Sequence, residues 1–266
     1  MKTISGKTLA AFAALFVVSA GIMAQAPETE EMSWQKETVV TIEIDGQVSE
    51  LSRSTQSFVW KLNASREDNP AQSGATFYNF RNRKAVLVNF ESDHFAVMTF
   101  DELRQTNMQQ INGIRESLPQ RKQMLPTLRG QQREMMAAQI EAQEAQINAW
   151  ARKYALEPTD ETATIEGRVC MKYRGLAGEN PFQEVWMAKN MPLSQSFKRY
   201  FAMGMAQVSQ NEYNYFRYAQ HFPIKIVNHY GPVTVTETVT NINPGVAPAE
   251  AFILPDNLKQ SPNVLR

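Results

Sequence analysis

The sequence predicts an α+β protein in which an antiparallel sheet is interrupted by a helical hairpin and covered by one further helix. Three observations carry this. Apolar and polar residues alternate with period two in short runs from Trp34 to Phe100, the signature of strands with one covered and one wetter face. From Asp101 to Leu156 the chain turns rich in Gln, Glu, Arg, Met and Ala, and the alternation stops. It resumes near Ile165 and runs to Asn241, broken by one amphipathic stretch from Ser194 to about Val208.

In chain order, Lys2 and Lys7, the apolar run Leu9 to Ala20 and the small residues Gly21, Ala24 and Ala26 form the three zones of a cleaved signal peptide over 1–26. Cleavage after Ala24 fits as well as cleavage after Ala26. The apolar run is shorter than the ~20 residues a bilayer span needs, and no second run reaches that length, so no transmembrane span is expected. A periplasmic or secreted location follows. Cys170 is the only cysteine, which excludes an internal disulfide and leaves the fold to its apolar core. About 240 mature residues suffice for one such core. The whole chain balances 27 basic against 27 acidic residues. Losing Lys2 and Lys7 with the leader makes it slightly acidic, so no basic field for nucleic acid is available.

A short acidic linker, Ala26 to Met32, leads into the β-branched run Thr38 to Ile44, which Asp45-Gly46 ends as a turn. Phe58 to Leu62, Thr76 to Phe80, Ala85 to Phe90 and His94 to Phe100 read as further strands, with Asn63 to Gly74 as a polar loop. The insertion at 101–156 divides into a helix stopped at Pro119 and a longer one whose seam carries Met136, Ile140, Ile147, Trp150 and Tyr154. After a linker, Glu157 to Ala163, a β-hairpin spans Arg168 to Met187 across the turn Gly175 to Pro181. Ser194 caps the covering helix, and Pro223 to Tyr230 and Val233 to Asn241 form a late hairpin around Gly231-Pro232. Residues 27–258 are thus expected to form a single domain, with 259–266 a flexible tail.

No nucleophile with an adjacent base, no carboxylate pair at a defined spacing and no metal-ligand pattern stands out, so neither catalytic nor metal residues are assigned, no cofactor is implied, and an enzyme is not expected. Cys170 reads as a packed small side chain, because His94, His221 and His229 are scattered. The dense aromatic stretch Tyr213, Tyr215, Phe216, Tyr218 and Phe222 has two readings, the mouth of an apolar pocket or ordinary core. Tyr200 and Phe201 on the covering helix, and Trp186 two residues from Glu184 on a strand, complete the candidate ligand-binding set.

The hairpin residues Gly167, Cys170, Tyr173, Glu184, Val185 and Trp186, the later Phe222-Pro223-Ile224 and the closing Ala251 to Pro255 occur in an order that resembles the domain of unknown function 4412 family of bacterial secreted proteins. That family in turn resembles the outer-membrane lipoprotein carriers, whose antiparallel sheet curls into an incomplete barrel closed by helices. The resemblance implies a curved sheet and a non-enzymatic protein holding an apolar small molecule or lipid on its concave face. It transfers no catalytic residue, and the helical segment here is longer than a simple lid needs. The alternative is an envelope structural or sensory adaptor that engages an envelope protein through the hairpin 101–156.

Overall fold

The structure, a computed structural model, describes residues 30–208 and 214–261. The expected signal peptide lies outside the described residues. The first half of the chain is a meander of six strands: β1 (Glu31–Ile44), β2 (Gln47–Lys61), β3 (Ala64–Asn69), β4 (Gly74–Asn79), β5 (Lys84–Asn89) and β6 (His94–Thr99). Two helices follow, α1 (Phe100–Met124) and α2 (Gly130–Ala151). The chain then returns through β7 (Tyr154–Ile165), β8 (Arg168–Ala177) and β9 (Asn180–Pro192). A helical run of α3 (Gln195–Phe197), a π-turn Lys198–Ala202 and α4 (Met203–Val208) precedes β10 (His221–Tyr230) and β11 (Val233–Pro244).

With a terminal β12 (Lys259–Gln260), these strands form one sheet in the order β12-β6-β5-β4-β3-β2-β1-β11-β10-β9-β8-β7. Every pairing is antiparallel except β12 on β6. The order leaves β12 and β7 as its two ends, so the curved sheet is an incomplete barrel, as expected. The first and second halves of the chain meet where β1 pairs β11 from Ile42–Val233 to Met32–Pro244.

Hairpins turn where the sequence supplies left-handed backbone. Asp45 and Gly46, between β1 and β2, have φ of 52° and 75°, as a two-residue turn of the type that matches strand twist requires. Along β1 the buried residues Met32, Trp34, Lys36 and Ile42 are all even-numbered, which assigns that parity to the inner face, the one the helices cover. There Trp34, Phe58, Trp60, Phe197, Phe201, Phe216 and Phe222 form a contiguous aromatic core, with centroids 5.1 Å apart for Trp34–Phe58 and 5.0 Å for Trp60–Phe197. A second, small cluster of Ala75, Phe77 and Val88 lies on the outer face of the meander, under Leu254 and Leu258.

The hairpin of α1 and α2 is a cover for the sheet and not an appendage. Helix α2 packs on β1, β8, β10 and β11 through Met135, Ala138, Ala142, Ala145 and Ala149. This is an i, i+3, i+4 stripe of mostly small side chains, which lets the helix axis approach the sheet. Of the expected seam, Met136, Ile147 and Trp150 are half-buried, Ile140 is buried, and Tyr154 lies beyond the helix at the start of β7. Lys122 and Glu144, 2.7 Å apart, tie the two helices together, as does Arg121 to Gln143. The N-terminus of α1 is closed by a capping box in which Thr99 Oγ1 accepts from Glu102 N–H at 3.2 Å and Glu102 Oε2 accepts from Thr99 N–H at 2.7 Å.

Six expectations are corrected. The linker at 26–32 gives way to β1 at Glu31, one strand edge earlier than its apolar residues begin. The polar loop at 63–74 contains β3, whose sequence ASREDN has no apolar alternation but is paired on both sides, by β2 and β4. Pro119 does not stop α1; it lies inside it, with Leu118 buried beside it. The helical insertion ends at Ala151 and not at Leu156, and the linker at 157–163 is the middle of the end strand β7, irregular between Pro158 and Thr162. Of the tail at 259–266, Lys259 and Gln260 pair with His94 and Phe95.

The alanine stripe sets the first prediction. Ala142→Leu is expected to push α2 off the sheet and cost ~1–3 kcal/mol in urea unfolding. Ala137→Leu, on the exposed side of the same helix, is expected to cost nothing measurable.

Candidate functional site

The inner face is not apolar throughout. At its centre, where β1 and β11 join the two halves of the sheet, Lys36 Nζ lies 2.7 Å from Glu237 Oε1, and both side chains are more than nine-tenths buried. Thr38 pairs with Glu237 and Lys36 with Gln56 in the strand register, so the group sits in the middle of four adjacent strands. On β3, Glu67 accepts from Gln56 Nε2 at 2.8 Å. Burial pushes the Glu67 carboxyl above the ordinary carboxylate value of 4.5; Lys36 opposes this, and Glu237 adds to it.

These groups form one side of a chamber of about 430 Å³ between sheet and helices. Asn107 of α1, Gln146 and Trp150 of α2 and Met205 of α4 line it from the helical side, and Tyr78, Tyr230 and Val235 from the sheet. Glu67 is half-buried by surface area, and the surface it keeps faces this chamber. Asn228, also in the wall, has its amide oriented from behind. Tyr154 O–H donates to Gln183 Oε1 at 2.6 Å, and Gln183 Nε2 donates to Asn228 Oδ1 at 2.7 Å. The amide nitrogen of Asn228 is thereby left as the donor turned away from Gln183. Burial pushes the Tyr154 hydroxyl up, so it stays protonated and keeps that chain of donors in one direction. The chamber thus offers an ammonium, two carboxyls and amide groups together with an indole, a thioether and a valine, the charges and Val235 from the sheet, and Trp150 and Met205 with the Asn107 and Gln146 amides from the helices.

None of the described residues of the aromatic set lines this chamber. Phe201, Tyr215, Phe216 and Phe222 are buried and close on one another and on Trp34, with Phe201–Phe216 at 5.7 Å and Trp34–Phe222 at 5.6 Å. They follow the core alternative and not the pocket mouth. Tyr218 is exposed, and its hydroxyl donates to the Tyr154 carbonyl at 3.3 Å. Tyr213 lies outside the described residues. Tyr200 is half-buried on the π-turn and borders a different cavity. Trp186 is on the opposite side of the sheet from Val185 and Met187, with Lys172 Nζ 5.5 Å from its ring. The face it was expected to share with the later aromatics is therefore not its own. Cys170 is fully buried, and burial pushes its thiol up, as befits a packed side chain.

A missed signal marked the chamber in the sequence. Lys36 stands between Trp34 and Val40, and Glu237 between Val235 and Val239, at positions whose parity belongs to the apolar face. A charge placed in that parity is a buried charge.

An open, curved antiparallel sheet covered on its inner face by an inserted helical hairpin defines the class: an α+β incomplete barrel with an internal chamber. The chain belongs to the family described as Domain of unknown function (DUF4412), whose profile matches residues 85–258. It is similar in structure to an uncharacterized conserved protein from Thermus thermophilus, at 8% identity over 85% of this chain and 89% of that one, with a TM-score of 0.41. It is also similar to a DUF1329 family protein from Desulfovibrio piger, at 9% identity over 88% of this chain and 93% of that one, with a TM-score of 0.32. No curated protein matches the sequence. Among the described residues no helix is long and apolar enough to cross a membrane.

Two predictions concern the buried charges. Lys36→Met leaves two carboxyls without their cation and is expected to cost ~3–5 kcal/mol at neutral pH. The loss should shrink on acidification, as the Glu67 carboxyl, already raised by burial, takes up its proton. For Glu67 the folded value is raised, so the native state holds a proton that the unfolded chain has already released above 4.5. Stability is therefore lost as pH rises from the unfolded value through the folded one. Glu67→Gln should remove this slope, giving a higher Tm than the parent at neutral pH and an equal one below pH ~4. Thermal melts across pH check both.

Proposed function

We propose that this is a non-enzymatic binding protein of the periplasm or extracellular space, whose chamber holds one small amphipathic or lipid-like molecule. The observation that carries the reading is the chamber itself. Its volume, about 430 Å³, falls within the ~300–1,000 Å³ of small-molecule sites, and its wall combines the buried charges of the sheet with apolar side chains from both sheet and helices. The polar end of the ligand faces Lys36, Glu67 and Asn228, and its apolar part lies against Trp150, Met205 and Val235. Charges buried on an inner face are costly to retain for stability alone, which supports a role in recognition. The leader read at 1–26 supports export. The polar floor refines the expected ligand from a wholly apolar one to one with a hydrogen-bonding head.

A second reading, the adaptor, draws support from the turn end of the helical hairpin. Leu128, Met135 and Met136 border a shallow depression of about 420 Å³ there, between Gln131, Gln132 and Gln139. Deleting 101–156 would not separate the readings, because α2 covers the core.

Point variants separate them. Protein purified from its native envelope and extracted for mass spectrometry is expected to yield a stoichiometric small molecule, and rebinding of that molecule should alter Trp150 fluorescence. Val235→Phe, which fills the chamber, is expected to weaken retention at least ~10-fold, equivalent to ~1.4 kcal/mol. Leu128→Ser with Met136→Ser should leave it unchanged. A parent protein that yields no ligand, with a native pull-down partner lost only in the second variant, would replace the binding reading with the adaptor.

A further inference from the structure

A second cavity, of about 800 Å³, opens at the end of the sheet, where loops of the first meander meet the helical run before β10. Its wall carries three guanidinium groups. Arg81 and Arg83 come from the turn between β4 and β5, and Arg199 comes from the π-turn. Among the described residues no carboxylate lines it. Arg83 has Asp101 at 3.5 Å, a pair exposed on both sides and so weakly held. Arg199 lies over the Tyr200 ring at 5.4 Å, an arrangement that fixes a guanidinium plane without neutralising it. The remaining wall is mixed, with exposed Leu62 and half-buried Tyr200 beside Asn63 and Gln207, over the buried rings of Phe80 and Phe100.

Two features show that this geometry is built. The wide π-turn brings consecutive residues, Arg199 and Tyr200, to the same cavity, and such turns are frequent where a helix serves a site. Gly204 follows on α4, and a Cβ there would stand 2.2 Å from the Phe80 ring, so only glycine lets the helix rest on that ring. The next residue, Met205, lines the chamber, which makes α4 the partition between the two cavities.

We propose that this groove is an anion site that takes a phosphate group borne on an apolar moiety, with Arg81, Arg83 and Arg199 on the phosphate and Leu62 and Tyr200 against the rest. Guanidinium groups suit phosphate because their planar fork donates two hydrogen bonds at once to its oxygens. The phosphate comes either from a phospholipid head group or from a soluble phosphate ester. The site stands apart from the chamber and does not rest on the binding role given to it.

The test uses the full mature chain. Titration calorimetry with inorganic phosphate and with glycerol 3-phosphate reads the soluble arm. Flotation with phosphatidylglycerol–phosphatidylcholine vesicles, against phosphatidylcholine alone, reads the lipid arm. The parent protein is expected to bind in at least one arm. Arg81→Gln with Arg199→Gln should weaken that binding ~10-fold or more, whereas Arg115→Gln with Arg129→Gln, which removes the same charge from exposed positions of the helical hairpin, should not. Binding to the soluble esters without flotation assigns the soluble source, and flotation alone assigns the membrane. No binding in either arm, or equal losses in the two double variants, overturns the proposal.

Discussion

Lys36 and Glu237, buried side by side on the inner face, constrain the strands and helices around them. They sit on β1 and β11, the strands that join the two halves of the sheet, so their pairing fixes the register between those halves. A slip of one residue would carry Lys36 to the outer face and leave Glu237 alone inside, an uncompensated buried charge. Because Glu67 and Gln56 lie next to the pair, the helical cover cannot fill the centre with aliphatic side chains. The alanine stripe of α2 brings one face of the helix onto the strands, while Gln146 and Trp150 stand over the charged group. The chamber is the space this compromise leaves.

Much of the fold was legible because its local signals agree with its tertiary contacts. The Asp45-Gly46 turn, the strand pair around Cys170 and the Ser194 cap, whose Oγ accepts from Phe197 N–H at 3.0 Å, are local devices, and each was read from a few residues. What escaped was set by partners distant in sequence. Strand β3 exists because β2 and β4 offer it hydrogen bonds on both edges, and polar side chains suffice for that. Pro119 forfeits one hydrogen bond within α1, which the ties from Arg121 and Lys122 to α2 offset just beyond it. The packing face of α2 was hidden because alanine carries little weight in an apolar count, although its small size is what close approach to a sheet requires.

The site was less legible for a related reason. Aromatic density drew attention to residues 213–222, yet aromatic rings in number satisfy one another: those at 201, 216 and 222 meet Trp34 and Phe197 edge to face or tilted, and leave no room. Charges out of parity were the better guide. Lys36 and Glu237 stand in the apolar parity of their strands, and that placement has a cost that folding alone does not require.

The family match begins at Ala85, in β5, and this boundary divides both cavities. From within the matched segment come the covers: Trp150 and Met205 over the chamber, Arg199, Tyr200 and Gly204 beside the groove. From the four strands before it and the turn that follows them come Lys36 and Glu67 in the chamber and Arg81 and Arg83 on the groove. The matched segment thus supplies the helical cover and the return strands, while β1 to β4 and their turns supply Lys36 and Glu67 to the chamber and Arg81 and Arg83 to the groove. Since α4 presents Gly204 to one cavity and Met205 to the other, a shift of that short helix would alter both at once.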